Sequence, residues 1–453
     1  MDKNLQFDYA KEPSRDILCI DCKSFYASCE AVSLGYNPLE VKLVVMSYPS
    51  DNPQERGSGL ILASSPAAKK AYNISNVSRA RDLPYPYPDD LVIVAPRMNY
   101  YMAVNKKINN IYRTFVGDED IAVYSVDETF LDVTNSLLYF NVDKAYDLAR
   151  MIQTKVYEET GIYVTVGIGD NPLLAKLALD NESKHNRDMK AEWRYEDVAD
   201  KLWSIPELTD FWGIGSRTAK RLNTLGIHSI YDLAHANYYK LKSEMGIMGA
   251  QLYAHSWGID RTFLGEKYTP KSKSVGNSQV LPRDYTGQGK IEVIIREMAD
   301  QVATKLRRDN LYTQCVSLWI GYSLSYIDNE GRTGFSKQIT IPNTNNSKTI
   351  SDHLVTLFRQ YYYGQVVRNI GVNATKLSHD SNQQLSIFED LETIEKDRDI
   401  DKVVDEVRSK FGFSKMIYAS SKLEGARALE RSKLVGGHAG GMVGLENEKK
   451  KKN

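Results

Sequence analysis

Residues 16–22, DILCIDC, and residues 121–133, IAVYSVDETFLDV, are short apolar runs that end in or enclose carboxylates. Asp21 closes the first run, and Asp127 with Glu128 sits between YSV and TFLDV in the second. Two adjacent strands ending in acids supply hard oxygen ligands on a rigid frame, which is what a divalent cation such as Mg2+ takes. A pair of such ions about 4 Å apart can activate an attacking hydroxyl and stabilise a leaving pyrophosphate oxygen. Successive strand residues face opposite sides, so Asp127 and Glu128 share a site only if the strand turns or ends between them. Taken one at a time, each acid also has the plainer reading of a turn residue.

Around these runs, strands and helices alternate to about residue 190, the pattern of an α/β or α+β sheet domain. SFYASCEAVSLG predicts a helix with Ser24 as N-cap and Gly35 as stop, and PAAKKAY one with Pro66 in its first turn. Residues 193–265 are short helical pieces broken by glycine turns. Residues 266–278 are polar and lack apolar periodicity, which predicts a linker. From 279 to 376, strands again alternate with helices, expected at 289–309 and 348–363.

Lys plus Arg and Asp plus Glu each number 58, so the whole chain carries no net charge and does not advertise a nucleic-acid binder. The regions differ. Residues 266–376 hold fifteen basic and nine acidic side chains, whereas 386–406 hold three and nine. No stretch approaches the ~18 apolar residues of a membrane span, and the N-terminus has no apolar signal core. Four cysteines cannot form a disulfide framework, so a reduced, cytoplasmic setting is expected. Cys19 and Cys22 have zinc-like spacing, but an odd separation on a strand points their thiols apart.

IDCKSFYASCE (20–30) and YSVDETFLD (124–132) resemble the two catalytic motifs of Y-family DNA polymerases, and of their UmuC-like branch in particular. The resemblance extends through VTVGIGDNPLLAKLA (164–178), FWGIGSRTAKRLNTLGI (211–227) and KSVGNSQVLPRDY (273–285). It implies an α+β multidomain, right-hand polymerase. Palm and fingers would span 1–192, a helical thumb with a helix–hairpin–helix 193–265, a linker 266–278 and an α+β little finger 279–378. A flexible tail, 379–453, would carry a clamp-binding peptide.

By the same resemblance, Asp21, Asp127 and Glu128 are the catalytic carboxylates for two Mg2+ ions, and Cys22 contributes its backbone carbonyl. Phe25 and Tyr26 lie at the nucleotide, with Tyr26 as the steric gate against a ribose 2′-hydroxyl. Aligned back from Ile74, Lys70 takes the place of an arginine on the fingers helix and Ala67 that of a tyrosine. Lys69 and Lys70 also have the plainer reading of solvated helix charges. Lys184 is similar to another triphosphate-binding lysine. Gly213, Gly215 and Lys273 are expected at DNA, and Gln384, Leu385 and Phe388 resemble the anchors of a sliding-clamp peptide. The implied activity is template-directed, error-prone translesion synthesis on primer–template DNA from deoxynucleoside triphosphates, with no membrane partner. The alternative is a catalytically weak accessory subunit of a translesion complex.

Overall fold

The structure, a computed structural model, describes residues 7–46, 59–75, 78–266, 269–270, 272–379, 391–435 and 438–439. The chain forms two compact units, Met1–Lys267 with His438–Asn453, and Tyr268–Gly437. The clamp-like peptide with Gln384, Leu385 and Phe388 lies outside the described residues.

In the first unit the chain runs β1 (Ile17–Cys22), α1 (Phe25–Ser33), β2 (Lys42–Met46), β3 (Ile61–Ser64), α2 (Pro66–Tyr72), β4 (Leu91–Val94), α3 (Met98–Tyr112), β5 (Ile121–Val123), β6 (Glu128–Asp132), α4 (Ser136–Tyr139), α5 (Ala145–Thr160), β7 (Val164–Gly169), α6 (Pro172–Ala178) and β8 (Lys190–Trp193). Two sheets result: a five-stranded palm sheet in the order β5-β6-β1-β7-β8, and a three-stranded sheet β3-β2-β4 that carries α2. Strand β1 is central and antiparallel to both neighbours.

Period-two alternation decides what each β1 side chain meets. Leu18, Ile20 and Cys22 enter the core made with Tyr101, Ile108 and Tyr112 of α3 and Leu148 and Ile152 of α5. Ile17 and Cys19 face the other way, against Phe130 and the α6 side residues Ala175 and Leu179. Asp21 continues this second row. The two thiols lie in different cores, as their spacing predicts. Helix α6 comes this close because β7 carries glycines: a Cβ at Gly167 would stand 2.0 Å from the Ala175 carbonyl oxygen.

The first unit continues with short helices α7 (Ser216–Thr224), α8 (Ile230–Ala234), α9 (Tyr238–Met245) and α10 (Ile247–Ser256) around Phe211, Ile214, Leu222, Ile230, Leu252 and Tyr253. This is the helical region expected over 193–265.

The second unit comprises β9 (Val275–Tyr285), α11 (Gln288–Arg308), β10 (Tyr312–Tyr322), β11 (Gly334–Thr344), α12 (Ser347–Tyr361), β12 (Val367–Ser378) and α13 (Leu391–Phe411). Its sheet has the order β11-β10-β12-β9 with antiparallel pairing throughout. Ile291, Ile294, Ile295, Met298 and Val302 form one stripe of α11 that packs on Val316, Leu318, Ile370 and Val372 of the sheet.

Two expectations need correction here. The predicted linker 266–278 runs into β9, whose Val275 to Ser278 already pair with β12. An edge strand can be polar on most positions, so it lacked the alternation by which strands are found. Nor is 379–453 a flexible tail throughout. Helix α13 is seated by charge: Arg307 of α11 meets Asp401 at 3.0 Å and Asp405 at 2.5 Å, and Arg408 meets Asp300 at 2.7 Å. Asn346 Nδ2 and the Ser347 amide also donate to Asp401, each at 2.9 Å. Further along, Glu297 accepts from the Arg427 and Ala428 amides.

Both partners of the Arg408–Asp300 pair are 8% exposed, so truncating Arg408 leaves a buried carboxylate without its counter-charge, held among the described residues only by the Ser347 hydroxyl at 3.1 Å. Arg408→Ala is expected to destabilise this unit by about 3–5 kcal/mol. Thermal or urea unfolding of the full chain measures it. A loss below about 1 kcal/mol would mean α13 rests on the unit without supporting it.

Candidate active site

Asp21 and Glu128 stand directly opposite each other across the β1–β6 pair, and so on one face of the sheet. Strand β6 begins at Glu128, which leaves Asp127 in the preceding turn and free of the alternation that would have sent it to the far face. The Cys22 amide donates to the Asp127 carbonyl at 2.9 Å, tying that turn to the end of β1. Ser125 Oγ donates to Asp127 Oδ1 at 2.7 Å and orients the carboxylate. The three acids therefore converge at one end of two paired strands.

Two lysines on or after α6 face them. Lys184 Nζ lies 3.0 Å from Asp21 and 2.8 Å from Asp180, and buried Lys176 Nζ lies 2.5 Å from Glu128. Burial pushes the Asp21 carboxyl up to about 6; Lys184 pulls against this, while the charges of Asp127 and Glu128 add to it. Lys184 is held above the ordinary lysine range by Asp21 and Asp180, although burial opposes them.

A cleft of about 770 Å³ opens beside Asp21 and Asp127. Its walls include Cys22, Lys23, Ser24, Phe25 and Tyr26 at the start of α1, Pro66, Lys69 and Lys70 of α2, and Lys184. Phe25 is buried in the palm core, whereas Tyr26 is half-buried and stacks on Tyr101 at 4.5 Å. Tyr101 donates to Glu30 Oε1 at 2.7 Å, and the Arg97 guanidinium holds both oxygens of Glu30. A backed ring of this kind has little freedom to swing away from a bound sugar.

Most of the expected residues thus meet in one place: Asp21, Cys22, Phe25, Tyr26, Lys70, Asp127 and Lys184 line the cleft, and Glu128 stands outside that lining, opposite Asp21 on the paired strand. Cys22 presents only backbone, since its thiol is buried in the palm core. Ser24 occupies the N-cap position of α1, but its side chain makes no capping bond and its backbone is left-handed, φ 48°. Gly213 (φ +95°) and Gly215 form the turn before α7 with open space at both Cβ positions, and Leu222 and Ile227 are buried behind it. Lys273 is exposed ahead of β9 in the second unit.

Sequence reasoning missed Lys176, Asp180 and Lys23. Lys176 lies inside the AKLA motif, yet nothing local marks it as the partner of an acid 48 residues earlier. Lys23, next to Cys22, donates to the Lys184 carbonyl at 3.1 Å.

The residues fit a hard divalent cation. Asp21, Asp127 and Glu128, with the Cys22 carbonyl, are an all-oxygen donor set; burial, with a smaller push from the charges of Asp127 and Glu128, raises the Asp21 carboxyl, and a bound cation would offset both. Among the described residues no three acidic, His or Cys side chains already stand at metal-holding separations. Asp21 and Glu128 are instead occupied by lysines.

Comparison with known proteins places this geometry in context. Residues 20–180 match the impB/mucB/samB family, 195–227 the helix–hairpin–helix motif of that family and 272–387 its C-terminal domain. The chain is 39% identical over 433 residues to the provisionally named UV-damage repair protein UvrX of Bacillus subtilis (strain 168), covering 95% of this chain and 99% of that one. It is 32% identical over 425 residues to DNA polymerase IV 2 of the same organism, covering 93% and 98%. A solved chimera of the Y-family DNA polymerases Dbh and Dpo4 shares the fold, with a TM-score of 0.61 and 24% identity over 80% of this chain and 98% of that one. Divalent-metal dependence is general in this group, and no helix among the described residues is long and apolar enough to cross a membrane. With relatives matching it nearly end to end and the motif residues gathered in one cleft, the chain belongs to the impB/mucB/samB family, the Y-family DNA polymerases.

Proposed function

We propose that this Y-family DNA polymerase copies damaged templates, adding deoxynucleotides to a primer 3′-hydroxyl at the cleft between Asp21, Asp127 and Tyr26. The observation that carries the reading is the opposition of Asp21 and Glu128 across paired strands, with Asp127 in the adjoining turn and lysines on the facing wall. Asp21, Asp127, Glu128 and the Cys22 carbonyl would hold two Mg2+ ions, which supply activation of the primer hydroxyl and charge neutralisation at the triphosphate. Lys184, paired with Asp21, is within reach of a triphosphate seated there, and Tyr26 closes the space beside the sugar. The Gly213–Gly215 turn offers amides at the start of α7 to a DNA phosphate, and Lys273 with the basic stretch 266–376 adds sequence-independent, salt-sensitive contact.

The test is primer extension on an undamaged and an abasic template with Mg2+ and four deoxynucleotides. Extension past the abasic site supports the reading. Extension that stops before it on every template context tried would leave a polymerase without translesion activity.

We further propose that Gln384, Leu385 and Phe388 bind the bacterial sliding clamp, on the strength of the QLSIF sequence between the little finger and α13. Leu385 and Phe388 would fill an apolar pocket, each contributing roughly 1.5–3 kcal/mol before ordering costs. Leu385→Ala with Phe388→Ala should leave unassisted extension intact and remove its stimulation by clamp. Unchanged clamp affinity in a calorimetric titration would discard the peptide as tether. A cytoplasmic site of action follows from the DNA substrate, and the four buried free thiols agree with a reducing compartment.

A further inference from the structure

Five charged groups on and around α6 form one unbroken chain. Glu128 meets Lys176 at 2.5 Å, and Lys176 meets Asp180 Oδ2 at 3.0 Å. Asp180 Oδ1 meets Lys184 at 2.8 Å, and Lys184 meets Asp21 at 3.0 Å. Acid and base alternate along the chain, and Asp180 is its middle member. The two ends are the acids that oppose each other across β1 and β6, so the strand pair closes the chain into a ring. Neither Asp180 nor Lys176 lines the cleft.

A regular helix would not line these groups up. An α-helix turns about 100° per residue, so Lys176 and Lys184, eight positions apart, would lie roughly 80° apart around it. Past Ala178 the helix widens into a π turn, Leu179–Ser183, in which the Lys184 amide reaches back to the Leu179 carbonyl at 3.3 Å. The wider turn takes back part of that drift and brings Lys184 over Asp180. It is also anchored to the sheet: a Cβ at Gly167 of β7 would stand 2.4 Å from the Leu179 nitrogen. Asp180 therefore extends from backbone pressed against β7.

Each lysine thus has two acids, one in the oxygen donor set and one outside it. Where Asp21 and Glu128 turn to a divalent cation, Lys184 and Lys176 lose those partners and are repelled by its charge. Asp180 is the acid common to both lysines and stands outside the donor set. Lys176 is only 5% exposed, so a second carboxylate is what keeps its charge compensated.

We infer that Asp180 is a positioning residue: it holds Lys176 and Lys184 when Asp21 and Glu128 turn to a divalent cation, and so sets how readily those acids take one. This rests on the polymerase reading for the cation, and on the ion-pair chain for the residue.

Mn2+ titrated into the full chain without DNA or nucleotide, with free Mn2+ read by electron paramagnetic resonance, tests it. The Asp127→Ala chain serves as the blank for sites elsewhere. Asp180→Asn keeps the shape and removes the charge, and should weaken Mn2+ binding about tenfold, the scale of one unit charge lost beside a partly buried site. Asp180→Asn with Lys176→Met removes one charge of each sign and should return the affinity to within about threefold of wild type, a coupling that two independent packing defects do not show. Lys176→Met alone, which removes a competitor for Glu128, should bind Mn2+ at least as tightly as wild type. Unchanged affinity in Asp180→Asn, a double variant that binds no more tightly than Asp180→Asn, or weaker binding in Lys176→Met would overturn the assignment. If wild type extends no primer, the polymerase reading fails, while the Mn2+ titration still decides for or against Asp180.

Discussion

Asp127→Ala should abolish nucleotide incorporation, by on the order of a thousandfold or more, while DNA affinity stays within a few-fold. The carboxylate sits in the turn that precedes β6, oriented by Ser125 and aimed into the cleft, so its removal takes away an oxygen donor without touching a core. Loss of several kcal/mol of charge stabilisation translates directly into that factor. Glu128→Ala should be comparably damaging to turnover, and it also removes one of the two carboxylates that pair with buried Lys176, leaving Asp180 at 3.0 Å, so a modest fall in stability accompanies it. Single-turnover incorporation, paired with fluorescence anisotropy on labelled primer–template, separates chemistry from binding. Wild-type incorporation by Asp127→Ala would remove the carboxylate cluster from the mechanism.

Tyr26→Ala is the second large effect. The ring lines the cleft next to Asp127 and is backed by Tyr101, so it stays in place when a sugar approaches. Shortening it to a methyl group vacates the volume in which a 2′-hydroxyl would otherwise clash. Discrimination against ribonucleotides is expected to drop by roughly 10–200-fold, the range that pocket shape alone sustains. Tyr101→Ala should give a smaller loss in the same direction, because Tyr26 then keeps its ring but loses its backing. Competition between ribo- and deoxynucleotide on one template measures both. Unchanged selectivity in Tyr26→Ala would make Tyr26 a core aromatic and nothing more.

What the sequence determined alone was whatever depends on short-range periodicity or on ordered motifs. Alternation along DILCIDC is enough to send Cys19 and Cys22 to opposite cores and to carry Asp21 on the Cys19 side, because side-chain direction in a strand repeats every two residues wherever the strand lies. The motifs around Asp21 and Asp127 placed both acids at strand ends, and the stripe of isoleucines in α11 announced a helix with one buried face.

Tertiary structure decided the pairings that cross the chain. Lys176 meets Glu128, and Lys184 meets Asp21, because glycines in β7 let α6 approach the sheet, a distance that no local pattern encodes. Which side chains of α2 reach the cleft depends on the rotation of the helix about its axis: packing buries Ala68 and leaves Lys69 and Lys70 on the cleft wall. The seating of helix α13 on the second unit was not legible for a related reason. Its inward face is Asp401, Val404, Asp405 and Arg408, and these become buried only because Arg307, Asn346 and Asp300 wait to receive them. Hydrophobic periodicity reports apolar burial, which every apolar side chain gains in any core; a charged side chain is buried only where one particular partner stands, and that partner is supplied by the fold.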